Sequence, residues 1–334
     1  MNKRMLVKAL CAVLVLMMMV GCVAVSAEQY EIAVIAKNAE SQWGIRQESG
    51  VNQYAADSGN IAYQKGPAKV DASSQLQLLE DVIAQGVDAI CIIPVDVESV
   101  EPALKRARED GIVVIVNEGT AVVNKDYSID AFNNDAFGAY MMDFLAEQMG
   151  SEGTYTTMVG SLSNGSHNIW ADAGVARQLA EYPNMHILES DPRVESGDDT
   201  EIAYEKMKEL VKKYPDLKGI QGASSADLPG IAKAVEELGL VGDICISGLG
   251  TPNKCRQYLE SGALKGICTW DPAGAGYAMC ALAQKVLEGA DIVDGLDLGL
   301  EGYNSILFAE GSTTNIQGSG MIVIAADTVN NYDF

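Results

Sequence analysis

From the sequence, we predict an α/β protein that contains two doubly wound, parallel-sheet lobes. Short apolar runs alternate with amphipathic helical stretches from Tyr30 onward, and the alternation restarts near Tyr127. The length of 334 residues suffices for two domains of roughly 150 residues each. Each half is therefore expected to be a Rossmann-like unit, in which crossover helices cover both faces of a parallel sheet.

The first series begins with four strands, of which the last two are almost wholly apolar, as is typical of parallel strands buried on both faces. Asp71 can cap a helix that Gly86 ends, and a second helix is predicted over residues 97–110. The four predicted strands cover residues 31–36, 61–64, 88–93 and 112–116.

The second series starts with a strand over residues 127–132 and a helix over 135–149. Its other predicted strands cover residues 154–159, 185–188, 219–221, 244–247 and 264–269, with helices over 170–180, 201–214 and 228–238 between them. One more helix, over residues 274–287, precedes a tail with short strands at 305–308 and 321–325. We expect this tail to return across the junction between the domains.

The first 27 residues are predicted to be a secretory signal peptide. Three basic residues precede an apolar run over residues 9–20, and small residues follow it. The run approaches the roughly 20 residues of a membrane span, but the small residues offer cleavage sites directly after it. Two outcomes stay open: cleavage after Ala27, or lipidation of Cys22 through an imperfect lipobox.

The acidic composition argues against a nucleic-acid partner. The chain has 23 Lys and Arg residues against 46 Asp and Glu residues, a formal net charge of −23, and no basic run longer than a pair. Phosphate backbones are bound by basic surfaces. We therefore expect no nucleic acid to bind.

The sequence is poor in the residues on which most enzymes and metal sites depend. It has two His residues, no C-x-x-C pair, and five Cys residues after the signal region, an odd number that does not fit a complete disulfide framework. Hydrolase and phosphate-loop motifs do not occur, and the glycines of residues 274–279 lack the third glycine of a dinucleotide fingerprint. We expect no catalytic residues, no metal and no cofactor.

All three Trp residues fall at the carboxyl ends of predicted strands. Trp43 follows the first strand, Trp170 follows the strand at 154–159 and its loop, and Trp270 comes directly at the end of the strand predicted near 264–269. Ligands of open α/β sheets bind outside these ends, and two facing lobes would place the three rings around one cleft. Each Trp could instead pack beneath a loop.

Several stretches resemble one family over essentially all of residues 30–334. They include EIAVIAK with an aromatic residue six positions on, GVDAICIIPVD, IVVIVNEG, IDAFNNDAFGAYMMDFLAEQMG and GLGTPNKCRQYLESGALKGICTWDPAGAGY. The chain is similar to the type I periplasmic solute-binding proteins of sugar ABC transporters. The branch of rhamnose-binding and autoinducer-2-binding proteins is favoured by Gly250-Thr-Pro-Asn253, Trp270-Asp271 and the terminal Tyr332-Asp333-Phe334.

The resemblance implies two lobes that are joined by a three-segment hinge and close on a ligand like a clamp. The three crossovers are expected near Phe132, Trp270 and the Gly299 region. Residues 28–131 and 271–299 would form the N-terminal lobe, and residues 132–270 and 300–334 the C-terminal lobe.

Some ligand contacts of the family have counterparts in this chain. Lys37 matches the cleft lysine of the autoinducer receptors, and Trp43 takes the place of an aromatic residue. Elsewhere the chain departs: Glu118 stands where the family has Asp, Ser166-His167 replaces an Asp-Gln pair, and Leu249 replaces the Asp of ribose-type proteins. We therefore expect a sugar or polyol other than ribose or autoinducer-2.

Polar side chains at the strand ends are expected to hold ligand hydroxyl groups, and indole rings to supply apolar contact. Asp227 is an equally good candidate for a helix N-cap. The candidate ligand-binding residues are Lys37, Trp43, Asn117, Glu118, His167, Asn168, Trp170, Ser225, Asp227, Trp270 and Asp271.

The function implied by the resemblance is that of a non-enzymatic, extracytoplasmic binding protein, periplasmic or at the cell surface. It would capture a sugar or sugar-like molecule and deliver it to an ABC permease in the membrane, and we expect it to be a monomer. A receptor coupled to a membrane sensor stays open as an alternative. More remotely, a sugar-modifying enzyme could use the same scaffold.

Overall fold

A computed structural model describes residues 29–334 of the chain. The expected signal peptide, residues 1–27, and the expected lipidation site, Cys22, lie outside the described residues. From residue 29 onward, every helix is too short or too polar to cross a membrane.

Strands and helices alternate along most of the chain. The strands are β1 (Glu31–Ile35), β2 (Ile61–Lys65), β3 (Ala89–Ile92), β4 (Val113–Val116), β5 (Tyr127–Asp130), β6 (Glu152–Val159), β7 (Asn184–Ile187), β8 (Arg193–Glu195), β9 (Leu217–Gly222), β10 (Cys245–Gly248), β11 (Ile267–Thr269), β12 (Leu307–Phe308), β13 (Asn315–Gln317) and β14 (Ile322–Ile324). The helices are α1 (Gln42–Ser58), α2 (Ala72–Gln85), α3 (Val97–Glu109), α4 (Asn134–Met149), α5 (Gly165–Glu181), α6 (Thr200–Lys213), α7 (Asp227–Glu237), α8 (Pro252–Ser261) and α9 (Pro272–Leu287), followed by a 3₁₀ turn at Val329–Asn331.

The first lobe is built on a seven-stranded sheet with the order β12-β13-β5-β4-β3-β1-β2. All neighbouring strands are parallel except the edge pair of β12 and β13. Helix α9 packs on α1 and on the face of this sheet. The strands β1, β3 and β4 are almost entirely buried, in agreement with their apolar sequences.

The second lobe contains a parallel sheet with the order β10-β9-β6-β7, in which β8 pairs with the far end of β6. The antiparallel pair of β11 and β14 continues this lobe, because a bridge joins Leu249 to Cys268. Helices α4 and α5 pack against each other, as do α6 and α7. The two-lobed α/β fold predicted from the sequence is therefore confirmed.

Local sequence signals set several helix ends. The carboxylate of Asp71 accepts a hydrogen bond from the backbone N–H of Ser74, and Gly86 ends α2 in the left-handed conformation, as predicted. The glycines of residues 274–279 serve packing: an added Cβ at Gly276 would lie 2.5 Å from the carbonyl oxygen of Gln47. Close contact between α9 and α1 therefore requires a glycine there.

The expected assignment of residues 300–334 to the C-terminal lobe is wrong in part. Strand β13 lies beside β5 at the edge of the first sheet, and β12 pairs with β13. The third crossover accordingly runs between Gln317 and Ile322, and not near Gly299. The tail crosses late because Asn315–Gln317 supplies backbone hydrogen bonds to an otherwise open strand edge.

Candidate functional site

A cavity of about 650 Å³, counted to its mouth, lies between the two lobes. Its walls come from the segments that follow β1, β2, β3 and β4 in the first lobe and β6, β8, β9 and β10 in the second. It lies at the carboxyl ends of parallel strands, where open α/β sheets bind ligands. The cavity is lined by Ala36, Lys37, Asn38, Ser41, Trp43, Gly44, Gln47, Val70, Ile93, Glu118, His167, Asp198, Ser224, Ser225, Ala226, Leu249 and Lys254.

An ion pair lies in the first-lobe wall of the cavity. Nζ of Lys37 donates to Oε2 of Glu118 at 2.6 Å, and these side chains are 15% and 8% exposed. The hydroxyl of Ser166, at the start of α5 in the second lobe, lies 3.1 Å from the same oxygen. Glu118 therefore links both lobes and holds them close together.

The residues next to Glu118 fix its position. Its φ of 54° is in the left-handed region, which is uncommon for a residue with a side chain. Its N–H donates to Oδ1 of Asp130 at 2.7 Å, and Nδ2 of Asn117 donates to the carbonyl of Ile129 and to the same Asp130 oxygen. Burial raises the pKa of Asp130 to about 6. Asn117 does not line the cavity, so the structure assigns it to the support of Glu118.

His167 presents a neutral donor to the cavity. The backbone N–H of Gly160 donates to Nδ1 at 3.1 Å, so the ring proton resides on Nε2. Burial lowers the pKa of His167 to about 4, and the ring is uncharged at neutral pH. Because His167 is both buried and part of the cavity wall, its free N–H can be satisfied by a ligand.

Asp198, which follows β8, places a carboxylate on the second-lobe wall. Its side chain is 17% exposed, and Oδ1 lies 3.9 Å from Nδ1 of His167, beyond hydrogen-bond distance. Its φ of 56° is again left-handed. Sequence reasoning missed this residue because β8 has only three residues and gives no clear strand pattern.

Other cavity residues that were not predicted lie on both lobes. The amide of Gln47 is buried, and neither of its polar atoms has a hydrogen-bond partner within residues 29–334. Ser224 precedes the predicted Ser225, and Lys254 lies in the first turn of α8, a helix that the sequence analysis did not identify. The Gly250–Asn253 motif that favoured the sugar-binding branch directly precedes Lys254 and was the available signal.

The three indole rings come together, but only Trp43 lines the cavity. Trp43 and Trp270 are 4.6 Å apart between ring centroids, and Trp270 and Trp170 are 5.7 Å apart. Trp170 and Trp270 pack with Phe132 and Phe137 and are only 1% and 2% exposed. Their expected role as cleft walls is therefore corrected: both rings fill the core at the hinge.

Asn168 and Asp227 lie outside the cavity because their side chains are used within the second lobe. Nδ2 of Asn168 donates to two backbone carbonyls, and its Oδ1 accepts from Arg193. Oδ2 of Asp227 accepts from the backbone N–H groups of Ala223 and Ser224 at 3.0 and 2.8 Å. Asp227 is the first residue of α7, after Ala226 at the N-cap position, so the N-cap interpretation was wrong, and Asp227 does not line the cavity. Burial raises the pKa of Asp227 to about 7.

Asp271 faces the hinge side of the molecule and not the cavity. Its Oδ1 accepts a hydrogen bond from the N–H of Ala273 and so caps α9. Its carboxylate also forms a bidentate ion pair with the Arg46 guanidinium, with N–O distances of 2.8 and 2.5 Å. The Arg46 guanidinium also lies 5.5 Å from the ring centre of Phe334, whose carbonyl accepts from Asn253 of the second lobe. The Trp270-Asp271 pair therefore organises the hinge.

Within residues 29–334, no three His, Cys, Asp or Glu side chains are grouped so that they could hold a metal ion. The five Cys residues in this part of the chain, Cys91, Cys245, Cys255, Cys268 and Cys280, are free thiols.

Comparison of the sequence with known proteins finds relatives that are named for the ligands they bind. The chain is 27% identical over 245 residues to a xylitol-binding protein of Mycolicibacterium smegmatis, covering 73% of this chain and 68% of that protein. It is 22% identical over 254 residues to a D-allose-binding periplasmic protein of Escherichia coli, covering 74% and 81%.

Two solved structures share the fold. LsrB from Clostridium saccharobutylicum in complex with AI-2 has a TM-score of 0.82 at 21% identity and covers 91% of this chain and 100% of its own. An ABC transporter solute-binding protein from Clostridium phytofermentas with bound L-rhamnose also has a TM-score of 0.82, at 20% identity, with 92% and 98% covered. The family model of a periplasmic binding protein domain matches residues 32–291, well over half of the sequence. The chain belongs to this family of periplasmic binding proteins, as its sequence motifs predicted.

Proposed function

We propose that this protein captures a sugar or sugar-like polyol in the cavity between its lobes and delivers it to an ABC importer. The cavity itself is the observation that carries the proposal. It joins a half-buried indole, a buried ion pair and a neutral histidine donor at the carboxyl ends of both sheets. Hydroxyl groups are recognised by such charged and neutral hydrogen-bond partners, and indole faces contact sugar rings.

The relatives support this ligand class. Two of them are named for xylitol and D-allose, and two structures of the same fold hold AI-2 and L-rhamnose. The family consists of binding proteins. A binding protein without catalytic residues is therefore favoured over a sugar-modifying enzyme. Detectable turnover of a bound sugar would instead favour the enzyme.

Closure of the lobes is the proposed signal to the permease. Ser166 of the second lobe lies beside Glu118 of the first, so a ligand held by both walls adds contacts that exist only when the lobes are together. A membrane sensor could read the same closure. Copurification with a permease or with a histidine kinase distinguishes these partners.

We also propose export of the protein across the cytoplasmic membrane through the segment 1–27, with either cleavage after Ala27 or lipidation at Cys22. The protein would then act as a monomer in the periplasm or at the cell surface. Mass spectrometry of the mature N-terminus separates the two forms of processing.

A thermal-shift screen of the mature protein tests the proposal. The panel contains xylitol, D-allose, L-rhamnose, other monosaccharides and autoinducer-2. A ligand at about 100 times its dissociation constant adds about 2.7 kcal/mol of stability, which gives a clear rise in Tm. At least one sugar or polyol is expected to raise the Tm. If no compound of the panel raises the Tm, the proposed function is contradicted.

A further inference from the structure

A second cavity, which we call the hinge-side cavity, lies where the chain passes between the lobes. It has a volume of about 1090 Å³, counted to its mouth. Its walls come from α1 and α9 of the first lobe, from residues 300–303, and from residues 319–322 and Tyr332, which reach the second lobe. Trp270 and Asp271 complete the wall. In the described part of the chain, no residue lines both this cavity and the proposed sugar site, so the two are separate.

Two buried hydrogen-bond donors in the wall of the hinge-side cavity are unsatisfied. The indole N–H of Trp270 and the O–H of Tyr303 have no hydrogen-bond partner among the described residues, and these residues are only 2% and 3% exposed. Burial raises the pKa of Tyr303 well above its ordinary value. The carboxylates of Asp130, Asp271 and Glu118 act in the same direction, so the group remains an O–H donor. A buried donor without an acceptor is unfavourable, and a ligand can supply the acceptor.

The charges around the hinge-side cavity disfavour an ionised ligand. The Arg46 guanidinium is already neutralised, because both oxygens of Asp271 accept hydrogen bonds from it. Glu301 adds an exposed carboxylate to the wall, so an anion would be repelled. A cation would bring further donors, which the donor-only indole N–H cannot accept. The polar groups therefore favour a neutral molecule with acceptor atoms.

The rest of the wall suits a flat ring. The rings of Tyr277 and Tyr332 line the cavity and are partly buried, and Met321 adds a flexible apolar side chain that is 37% exposed. Gly274 leaves room beside the ring of Tyr303, since an added Cβ would lie 3.3 Å from that ring. Aromatic rings pack favourably against one another, and methionine sulfur also contacts them well. An aromatic ligand therefore fits this wall better than an aliphatic one.

We propose that the hinge-side cavity is a second binding site, which takes a neutral aromatic molecule with a carbonyl or amide oxygen. The oxygen accepts the hydrogen bonds of Trp270 and Tyr303, and the ring packs against the tyrosines and Met321. The crossovers that cover the two donors move as the lobes rotate, and this motion gives the ligand access. That step rests on the lobe motion of the proposed function, whereas the ligand class follows from the hinge-side cavity alone.

Benzamide is the probe for this site, because it combines a phenyl ring with a neutral amide oxygen. Benzoate keeps the ring but is an anion at neutral pH, and acetamide keeps the amide but lacks the ring. Ligand-observed NMR titrations measure the binding of each compound to the mature protein and to two variants. Tyr303→Phe removes one donor and keeps the ring, and Tyr140→Phe makes the same change at a tyrosine that is 36% exposed and lies outside the cavity. Melting without ligand is measured for all three proteins.

Three results are expected. Benzamide binds the wild type about tenfold or more tightly than benzoate or acetamide does. Tyr303→Phe weakens the binding of benzamide about 2- to 10-fold, the range for one neutral hydrogen bond, while Tyr140→Phe binds it like the wild type. The ligand-free Tm of Tyr303→Phe is no lower than that of the wild type, because the variant removes a buried donor that has no acceptor.

No binding of benzamide, or equal binding by the wild type and Tyr303→Phe, would overturn the proposal. Wild-type binding of benzoate as tight as that of benzamide would overturn the ligand class. A ligand-free Tm of Tyr303→Phe well below that of both other proteins would also count against the site, because the O–H would then be satisfied by a bound water that serves the fold. A wild type that binds benzamide but no sugar or polyol contradicts the proposed function and leaves the second site in place.

Discussion

At the residue scale, Lys37 and Glu118 show how two loops of one lobe combine into a single cavity wall. The two residues are 81 positions apart in the chain, and each follows a different strand of the first sheet. Their charges neutralise each other in a wall that is mostly closed to water. The pair therefore matters for stability as well as for the proposed binding of ligand.

Replacing Lys37 with Met is expected to destabilise the ligand-free protein by about 1–3 kcal/mol, because the Glu118 carboxylate is then left buried without its cation. Urea unfolding of Lys37→Met, Glu118→Gln and the double variant measures the coupling. The double variant should recover part of the loss. If the losses of unfolding free energy in the two single variants sum to the loss in the double variant within about 0.5 kcal/mol, the two groups act independently.

Substitutions of Trp43 and Trp170 should have different effects, because Trp43 lines the cavity and Trp170 lies in the core. Trp43→Ala is expected to weaken binding of the best ligand with a modest loss of stability, since Trp43 is half-buried at the cavity. Trp170→Ala should cost about 3–5 kcal/mol of unfolding free energy, because the ring is 1% exposed and packs on Phe137. Titration calorimetry and thermal unfolding of both variants check this, and equal loss of stability in the two would contradict it.

At the element scale, the start of α7 depends on a buried carboxylate instead of an N-cap side chain. Asp227 holds the N–H groups of the preceding turn, while Ala226 at the cap position offers no side-chain bond. Because burial raises the pKa of Asp227 to about 7, its folded-state pKa lies above its unfolded value. Its contribution to stability is complete below the unfolded pKa and is lost as the pH rises through about 7.

The variant Asp227→Asn should therefore change the pH dependence of stability. The difference in unfolding free energy between the wild type and Asp227→Asn is expected to favour the wild type more at pH 5 than at pH 8. The low pKa of His167 acts in the opposite direction, with stability lost as the pH falls through about 4, and it cancels in this difference. Urea unfolding between pH 5 and 8 gives the result, and a difference independent of pH would refute the assignment.

At the scale of the whole molecule, the lobes meet across the cavity mouth and are joined behind it. Ser166 lies beside Glu118 at the cavity, and Arg46 of the first lobe contacts the ring of Phe334 on the hinge side. These contacts exist only while the lobes are close together, so they bias the closed form without determining it alone.

Ser166→Ala is expected to shift the ligand-free protein toward the open form and to weaken ligand binding by up to about 10- to 100-fold, the range for one hydrogen bond to a charged group. Small-angle scattering with and without ligand measures the change in radius of gyration, and calorimetry measures the affinity. Thr at this position keeps the hydroxyl and serves as the control. Identical scattering and affinity for Ser166→Ala and the wild type would show that this contact does not influence closure.

Most of the order of strands and helices, their two-lobed grouping and the rim at which we propose that ligand binds could be predicted from the sequence alone. These features depend on local apolar periodicity, on caps such as Asp71 and on the rule that parallel sheets bind at their carboxyl ends. Lys37, Trp43, Glu118, His167 and Ser225 were predicted at this rim and do line the cavity.

Only the tertiary structure decided which rim residues face the cavity and which fill the hinge. Trp170 and Trp270 occupy strand-end positions like that of Trp43, yet they are buried against Phe132 and Phe137 from another segment of the chain. Asp198, in contrast, reaches the cavity through a short strand and an uncommon backbone angle. Side-chain direction at a strand end depends on what packs beside it, and those neighbours are distant in sequence.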